Sequence, residues 1–444
     1  MQFVDEDLGC ASYLVGDEET YEAVLVDPSF AIEPYLEEIA RRELRIVAVL
    51  ETHTHADHVS GHGRLALEYG VPVRIHPAAE PDYPFEPLAD GDVVDLGKTR
   101  ISVIHTPGHR PEHCAFAVAD RTRSEEPWLV LTGDSLFVGD VARPDLAVEA
   151  REGAEGLFSS LRRLLDLPDG VEVYPGHVAG SLCGAAMSSK ASTTVGFERR
   201  FNPRLEHDTL AAFVAGSTAA TSTPRPPNME RIVQLNRGPF VGKPSRLGPI
   251  ETSEDIVVLD VRDAEAFTGG HVPGAINVPL SSSAFGTKAG FVLHPDDRVA
   301  IQAASPEDAA LAAQRLHAVG FLELAGRLDD PETPERTEPV ELDELERLVS
   351  DDAVLLVDVR EKDERDDGYI AGSVNVPFRL LRDLGSDLAD GKPVVTICES
   401  GARAAIAASV LAAQGIAARP VLHGGIRGWA ETGRDTVHFR RCGS

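Results

Sequence analysis

The sequence predicts an α/β protein of three domains, a layered α/β domain followed by two smaller α/β domains with parallel sheets. Short β-branched runs alternate with polar or helical stretches through the first half of the chain. Two proline-rich breaks divide the chain, and a motif that follows the first break returns after the second. The length of 444 residues agrees with this division, because domains hold roughly 150 residues each.

The composition narrows the choice of partners and compartment. The chain has 72 acidic and 42 basic side chains and a formal net charge of -30, which disfavours nucleic acid and anionic membrane surfaces as partners. We expect a cytoplasmic protein, because no apolar run approaches the roughly 18 residues of a membrane span and the first residues lack a signal-peptide pattern. The five cysteines form no C-x-x-C pair, which favours reduced thiols.

The first domain is predicted to contain a series of short strands separated by turns and helices. The strand runs are residues 23–26, 46–50, 71–75, 101–104, 129–131 and 171–173. Residues 216–249 are rich in Pro, Gly, Ser and Thr, which predicts a domain tail and linker. The first domain is therefore expected to span residues 1–245.

Histidines are concentrated in this domain, where nine of the chain's 15 lie between residues 53 and 177. The strand 46–50 is followed by four candidate ligands, His53, His55, Asp57 and His58. His109, Asp134 and His177 each follow a later predicted strand on a turn that contains glycine. Imidazoles and carboxylates that meet at strand ends predict a metal site.

The remaining chain is a tandem duplication. The motif Asp-Val-Arg at 260–262 and Asn-Val-Pro at 277–279 recurs at 358–360 and 375–377, an offset of 98 residues. A second polar break at 329–339 contains three prolines and separates the copies, which predicts domains at 250–330 and 338–440. In each copy a buried strand leads through a loop into a helix, as in parallel sheets.

The two copies differ in the loop that follows their second main strand. In the last domain Cys398 and Arg403 bound a loop between a strand at 394–397 and a helix at 404–414. Backbone N–H groups, the helix N-terminus and Arg403 would together stabilise a thiolate or a persulfide, which predicts a sulfur-transfer cysteine. The middle domain has Ala303 and Asp308 at these positions, so we expect it to be inactive, with Ser305 a weak alternative nucleophile.

The histidine-rich set resembles the metallo-β-lactamase superfamily over residues 1–245, which implies an αββα sandwich. Asp27-Pro28 and the segments 136–145 and 202–205 look like its persulfide dioxygenase branch. That resemblance implies one Fe(II) per chain. His53, His109 and Asp134 would be its ligands, and His55, Asp57, His58 and His177 would either orient them through hydrogen bonds or bind a second metal. The alternative is a hydrolase of the glyoxalase II kind with two Zn(II) per chain, which cleaves a thioester.

The last two domains resemble the rhodanese family, and the whole chain resembles bacterial fusions of the two families. The implied function is oxidation of a low-molecular-weight thiol persulfide by O₂ to sulfite and thiol, coupled to sulfur transfer that makes or uses thiosulfate. Cys398 and Arg403 would be catalytic, and Cys183 is a candidate second thiol. Substrate would contact Arg143, Arg199, Arg204 and Gly401. We also expect a homo-oligomer.

Overall fold

The computed structural model describes residues 1–178, 188, 190–207, 209–219, 224–388 and 391–439. The chain forms two compact units, Met1–Lys243 with His317–Gly320 and Pro244–Leu316 with Phe321–Ser444. Among the described residues, no helix combines the length and the apolar character that crossing a membrane requires.

The first unit contains two mixed sheets of six strands. One runs in the order β1 to β6, namely β1 Gln2–Val4, β2 Ala11–Gly16, β3 Glu22–Val26, β4 Arg45–Leu50, β5 Val73–Ile75 and β6 Glu86–Pro87. The other runs from β12 to β7, namely β7 Val93–Asp95, β8 Thr99–His105, β9 Cys114–Asp120, β10 Leu129–Gly133, β11 Glu172–Pro175 and β12 Thr193–Thr194. The strands predicted from the β-branched runs are all present, with ends that differ by one or two residues.

Alternating side chains on these strands build three layers of core. In β3, Val24 and Val26 point between the two sheets, where they join Phe116 of β9 in one buried cluster. Ala23 and Leu25 of the same strand point to the opposite face and pack with helical residues. Because both faces are covered there, the central strands β3, β4, β9 and β10 are mostly apolar instead of alternating with polar residues.

Helices cover the outer faces of both sheets. In the described part of this unit the α-helices are α1 Glu33–Arg42, α2 His62–Tyr69, α3 Ala150–Leu165, α4 Val195–Phe201, α5 Leu210–Ala219 and α6 Met229–Arg237. Tyr35 of α1 and Leu65 of α2 pack on the first sheet, and Leu157 and Leu161 of α3 pack on the second. The expected αββα sandwich is confirmed.

The second unit contains two four-stranded parallel sheets with the same strand order, which confirms the expected pair of parallel α/β domains. The middle domain has β13 Val257–Asp260, α7 Ala264–Gly269, β14 Ile276–Asn277, α8 Phe285–Val292, β15 Val299–Gln302, α9 Pro306–Ala318 and β16 Gly326–Leu328. The last domain has α10 Leu342–Ser350, β17 Leu355–Asp358, α11 Lys362–Asp366, β18 Val374–Asn375, α12 Leu381–Leu384, β19 Val394–Ile397, α13 Ala402–Ala413, β20 Ala418–Pro420 and α14 Gly425–Glu431. The sheet orders are β14-β13-β15-β16 and β18-β17-β19-β20.

The duplicated motif holds adjacent strands together. In the last domain the Asn375 side chain donates to the carbonyl oxygens of Asp358 and Arg360, both at 2.9 Å. Asn277 makes the same two bonds in the middle domain. The repeated residues therefore join the end of one parallel strand to its neighbour, and their recurrence reflects folding instead of chemistry.

The two domains of the second unit pack against each other through α13. The Ser409 hydroxyl of α13 accepts a hydrogen bond from the backbone N–H of Asn277 in β14, at 2.9 Å. Arg382 pairs with Asp297 across the same junction at 3.2 Å. Residues 404–411 of α13 are all buried, so this helix is covered on every side.

Candidate metal centre and sulfur-transfer site

Three buried side chains converge at the carboxyl ends of strands in the first unit. His53 follows β4, His109 follows β8 and Asp134 follows β10, and one ligand atom of each lies within 4.8 Å of the other two. Asp134 Oδ2 is 4.0 Å from His53 Nε2 and 3.7 Å from His109 Nε2. All three side chains are almost completely shielded from solvent.

Hydrogen bonds fix which nitrogen of His53 is free. Thr52 Oγ1 donates to Asp27 Oδ2 at 2.7 Å, so its remaining interaction, with His53 Nδ1 at 2.9 Å, must be one in which it accepts. The proton of His53 therefore resides on Nδ1, which leaves a lone pair on Nε2, the atom that faces Asp134.

His109 and Asp134 are oriented in the same way. His109 Nδ1 donates to the carbonyl oxygen of Arg143 at 3.0 Å, which leaves Nε2 as an acceptor. Asp134 accepts from His177 Nδ1 through Oδ1 at 2.8 Å, and its backbone N–H donates to His113 Nε2 at 2.9 Å. Its other oxygen, Oδ2, is buried and has no hydrogen-bond partner in the described part of the chain. Two lone pairs and an orphaned carboxylate oxygen fit a bound cation.

The electrostatics of these residues favour metal ligation. Burial and the neighbouring imidazoles of His55 and His109 hold the pKa of His53 well below its usual value, and burial also lowers the pKa of His109. Burial alone would raise the pKa of Asp134, but the charge and hydrogen bond of His177 outweigh it and lower that pKa. The set thus presents neutral imidazoles and a carboxylate, the forms that bind metals.

His55 faces away from this group toward two buried carboxylates. Its Nε2 lies 3.4 Å from Asp27 Oδ1 and 3.2 Å from Glu51 Oε2. Burial and the nearby His58 lower the pKa of His55, but the two carboxylates outweigh them and raise this pKa to about 9. Asp27 thus contacts both Thr52 and His55, and it ties the residues that follow β4 to the end of β3.

Asp57, His58 and His177 form a second group. Asp57 Oδ2 is 2.8 Å from His177 Nε2, and Asp57 Oδ1 is 3.1 Å from His58 Nδ1. The thiol of Cys10 completes it, with Sγ within 3.5 Å of all three side chains. We call these four residues the thiol cluster. His177 joins it to the first group, because its other nitrogen bonds to Asp134.

The predicted substrate-binding arginines of the first domain are all engaged with protein groups. Arg143 forms a two-point ion pair with Asp145 at 2.8 and 2.9 Å and donates to the Pro224 carbonyl. Arg199 pairs with Asp169 and Arg204 pairs with Asp140. The structure therefore gives no support for free guanidinium groups here, and it places Arg143 as a brace for the loop whose carbonyl orients His109.

Sequence reasoning missed several residues that shape this site. His113 accepts a hydrogen bond from the backbone N–H of Asp134 and is hydrogen-bonded to Thr106 Oγ1. Burial and, to a smaller extent, the charge of His109 lower the pKa of His113 to about 3. Arg110 and Glu112 form a buried ion pair at 2.7 Å, and Glu112 also accepts from the backbone of Thr54. The only sequence signal for His113 was its place four residues after His109 on the same turn. Cys183 lies outside the described residues.

The sulfur-transfer loop of the last domain has the predicted strand, loop and helix around it. Cys398 follows β19 and is buried, and the backbone N–H of Gly401 points at its Sγ from 3.1 Å. Gly401 has a φ of +126°, and a Cβ there would lie 1.8 Å from the carbonyl oxygen of Leu422. Only glycine fits this position, which lets the backbone wrap the sulfur before α13 begins.

Arg403 is held beside this loop by a carboxylate. Both terminal nitrogens of Arg403 bond to Glu364 of α11, at 2.7 and 2.6 Å. A groove of about 390 Å³ in the same domain is lined by Glu364, Arg360, Glu399 and Arg427, among others. With Asp367, three carboxylates line this groove against two guanidinium groups, so the structure gives no support for a strongly positive pocket at this site.

The corresponding loop of the middle domain serves as a helix cap. Ser305 Oγ donates to Asp308 Oδ2 at 2.8 Å and accepts from the backbone N–H of Asp308 at 3.0 Å. Its hydroxyl therefore caps the N-terminus of α9. An acidic side chain, Asp308, stands where the last domain has Arg403.

Two family models match this chain, one in its first half and one in its second half. The model of the metallo-β-lactamase superfamily matches residues 5–177, and the rhodanese-like domain model matches residues 248–330 and 341–432. A metallo-β-lactamase structure from Staphylococcus aureus superposes with a TM-score of 0.68 at 28% identity, covering 74% of this chain and 97% of that one.

Two curated relatives of this chain have names that give different activities. The mitochondrial persulfide dioxygenase ETHE1 of Homo sapiens is 32% identical over 207 residues, 45% of this chain and 73% of the relative. A hydroxyacylglutathione hydrolase of Cereibacter sphaeroides is 31% identical over 264 residues, 58% of this chain and 90% of the relative. The two identities are too similar to separate oxidation from hydrolysis.

Proposed function

The chain belongs to the metallo-β-lactamase superfamily and continues into two rhodanese-like domains, and from this we propose that it is an iron-dependent persulfide dioxygenase with a sulfurtransferase domain. Its substrate would be the persulfide of a low-molecular-weight thiol. The homology to ETHE1 and the presence of rhodanese domains support this general function.

One observation carries the proposal: the ligand atoms of His53, His109 and Asp134 converge, each oriented by its own hydrogen bond. Two imidazoles and one carboxylate form the ligand set of many non-heme Fe(II) oxygenases, because the set leaves positions open for substrate and O₂. When bound, iron would bring persulfide sulfur and O₂ together and supply the electrons that activate O₂. The balanced reaction is RSSH + O₂ + H₂O → RSH + SO₃²⁻ + 2 H⁺.

The side chains around the centre would hold these ligands in place through the reaction. Thr52 and Asp27 keep the His53 proton on Nδ1, and the Arg143 carbonyl does the same for His109. The buried Arg110 guanidinium lies close enough to lower the pKa of both imidazoles, which favours their neutral, ligating form. Preorganisation of this kind reduces the rearrangement needed when substrate binds.

The last domain would exchange sulfur with the product or the substrate of the first reaction. Cys398 thiolate would attack the outer sulfur of thiosulfate, Cys–S⁻ + S₂O₃²⁻ → Cys–S–S⁻ + SO₃²⁻, and the reverse step would make thiosulfate from sulfite. The N–H of Gly401, directed at the sulfur, would stabilise the negative charge in both states. Both directions pass through the Cys398 persulfide.

A second candidate is hydrolysis of a thioester at a centre of two zinc ions. The observation in its favour is that Asp57, His58 and His177 lie beside the first group, and that His58 Nε2 is buried without a hydrogen-bond partner among the described residues. The relation to the hydroxyacylglutathione hydrolase agrees with it.

Metal analysis together with two assays tests the first unit's activity. The protein is purified without oxygen, its metals are quantified, and it is given glutathione persulfide in an oxygen electrode and S-lactoylglutathione in a hydrolysis assay. We expect about one iron per chain, O₂ uptake with the persulfide and no thioester hydrolysis. Two zinc ions with hydrolysis and no O₂ uptake would establish the alternative.

The division of labour is tested with Cys398→Ser, with Cys114→Ala as the matched control because Cys114 is a buried thiol outside the loop. Cys398→Ser should keep O₂ uptake and lose thiosulfate-dependent sulfur transfer, and Cys114→Ala should keep both. Loss of O₂ uptake in the properly folded Cys398→Ser protein would contradict separate sites.

A further inference from the structure

Cys10 lies at the centre of the thiol cluster. Its Sγ is 3.3 Å from His58 Nδ1, 3.4 Å from His177 Nε2 and 3.5 Å from Asp57 Oδ2. The side chain is buried, and it is a free thiol. No contact of the proposed dioxygenase reaction uses this sulfur, although it contacts Asp57, His58 and His177, three of the candidate ligands of a second metal ion.

The backbone holds the sulfur in this position. Cys10 and His177 face each other in an antiparallel bridge. The N–H of Ala11 donates to the Gly176 carbonyl at 2.7 Å, and the N–H of Val178 donates to the Gly9 carbonyl at 2.9 Å. The start of β2 and the turn that carries His177 are thus joined on both sides of Cys10, which fixes the backbone of Cys10 beside His177.

The other members of the cluster are hydrogen-bonded to one another. His177 Nε2 and Asp57 Oδ2 are 2.8 Å apart, the distance of a charge-assisted hydrogen bond. Ligand atoms on one tetrahedral zinc ion, at about 2.0–2.3 Å from the metal, stand roughly 3.3–3.7 Å apart. A second ion would therefore have to separate this pair and displace the sulfur that contacts both residues.

We propose that the thiol of Cys10 closes this cluster to a second metal ion and so keeps the neighbouring centre mononuclear. The inference rests on the proposed iron centre, and it makes Cys10 the residue that determines metal number. With one ion, His53, His109 and Asp134 leave positions open for persulfide and O₂. With two, a bridging hydroxide would favour hydrolysis. The same set of histidines and aspartates could then support either persulfide oxidation or thioester hydrolysis, and residue 10 would determine which.

The test measures metal stoichiometry in full-length protein. Wild type, Cys10→Ala and Cys10→Ser are stripped, loaded anaerobically with excess Fe(II) or Co(II), desalted and analysed for bound metal. Cys10→Ser is the matched control, because its hydroxyl retains a hydrogen-bonding group at the same place. We expect about one ion per chain for wild type and Cys10→Ser and about two for Cys10→Ala. The double variant Cys10→Ala with His58→Ala should return to one.

Two results would overturn the inference. One is a Cys10→Ala protein that binds a single ion, and the other is a wild type that binds two and loses the second when Cys10 is replaced. The Co(II) spectrum of wild type separates these roles without any variant, because a cysteine ligand gives an intense sulfur-to-cobalt charge-transfer band. We expect no such band, and its presence would make Cys10 a ligand.

The stoichiometry also separates this inference from the proposed function. A wild type with one ion that consumes no O₂ with persulfide would refute the dioxygenase and leave the role of Cys10 intact. A wild type with two ions that consumes O₂ would refute the role of Cys10 alone.

Discussion

His113 Nε2 accepts a hydrogen bond from the backbone N–H of Asp134 across 2.9 Å. The other nitrogen of the ring bonds to Thr106 Oγ1 at 2.8 Å, so the imidazole is held at both ends. His113 thereby fixes the backbone of a candidate ligand without facing the metal position itself. It is one of six histidines described around this centre, and these six make different contacts.

Replacing His113 by leucine should weaken metal binding. The variant leaves the N–H of Asp134 buried without an acceptor, and loss of a group that orients a ligand typically lowers metal affinity by about 10- to 100-fold. Competition with a chelator measures the change. The control is His76→Leu, which alters a histidine stacked on His105 and should leave the affinity unchanged. Equal affinities for both variants would contradict this role of His113.

Thr52→Val should reduce metal affinity by a similar factor, about 10- to 100-fold. Valine has the same shape as threonine but cannot accept the hydrogen bond from His53 Nδ1–H. Thr52→Ser retains the hydroxyl and should bind metal nearly as well as wild type. The pair of variants separates hydrogen bonding from packing. If serine and valine weaken binding equally, the hydroxyl does not set the His53 tautomer.

Ser305→Ala should affect stability and leave sulfur transfer unchanged. The variant removes the cap of α9, which costs about 0.5–2 kcal/mol in typical helices. Urea unfolding measures the free energy of unfolding, and a thiosulfate assay measures transfer. A loss of transfer comparable with that of Cys398→Ser would show that the middle domain is catalytic after all.

Glu364→Gln should change the acid stability of the second unit. Burial opposes ionisation of Glu364, but the hydrogen bond and charge of Arg403 outweigh it and hold its pKa below the ordinary value of 4.5. A carboxyl with a lowered pKa stabilises the fold above its unfolded-state pKa, and this contribution disappears as pH falls through the folded-state value. The wild type should therefore exceed the variant in stability above about pH 4.5, and the difference should shrink below it.

Urea unfolding at a series of pH values checks this prediction, with Glu323→Gln as a control for an exposed carboxyl of the same unit. The control should follow the wild-type curve. A constant difference between wild type and Glu364→Gln down to pH 3 would mean that ionisation of Glu364 does not cause the difference in stability, which would contradict this prediction.

The fold and the ligand types could be predicted from the sequence because both depend on local pattern. Strand runs, Gly-containing turns and the histidines after them place His53 and His109 at strand ends without knowledge of tertiary contacts. The Asp-Val-Arg repeat likewise indicated two copies of one domain. These signals arise within segments of about ten residues.

The residues that the sequence did not reveal depend on contacts between distant segments. Cys10 had no motif around it, and it meets His177 only because β2 lies beside the turn after β11. The ion pairs of the arginines could not be foreseen for a related reason: a sequence shows where Arg199 is but not that Asp169 lies beside it. A charged residue in the sequence could bind a substrate, but only the tertiary structure shows whether another side chain of the protein already pairs with it.

The burial of α13 has a consequence for how the last domain can be used outside this chain. Its alanine-rich surface is covered partly by β14 of the middle domain, and Ser409 is bonded to that strand. Separated from the middle domain, the last domain would expose this apolar surface on the helix that follows the Cys398 loop. We therefore expect the last domain to be unstable when it is produced alone. The middle domain contributes to the protein through the surface with which it covers α13.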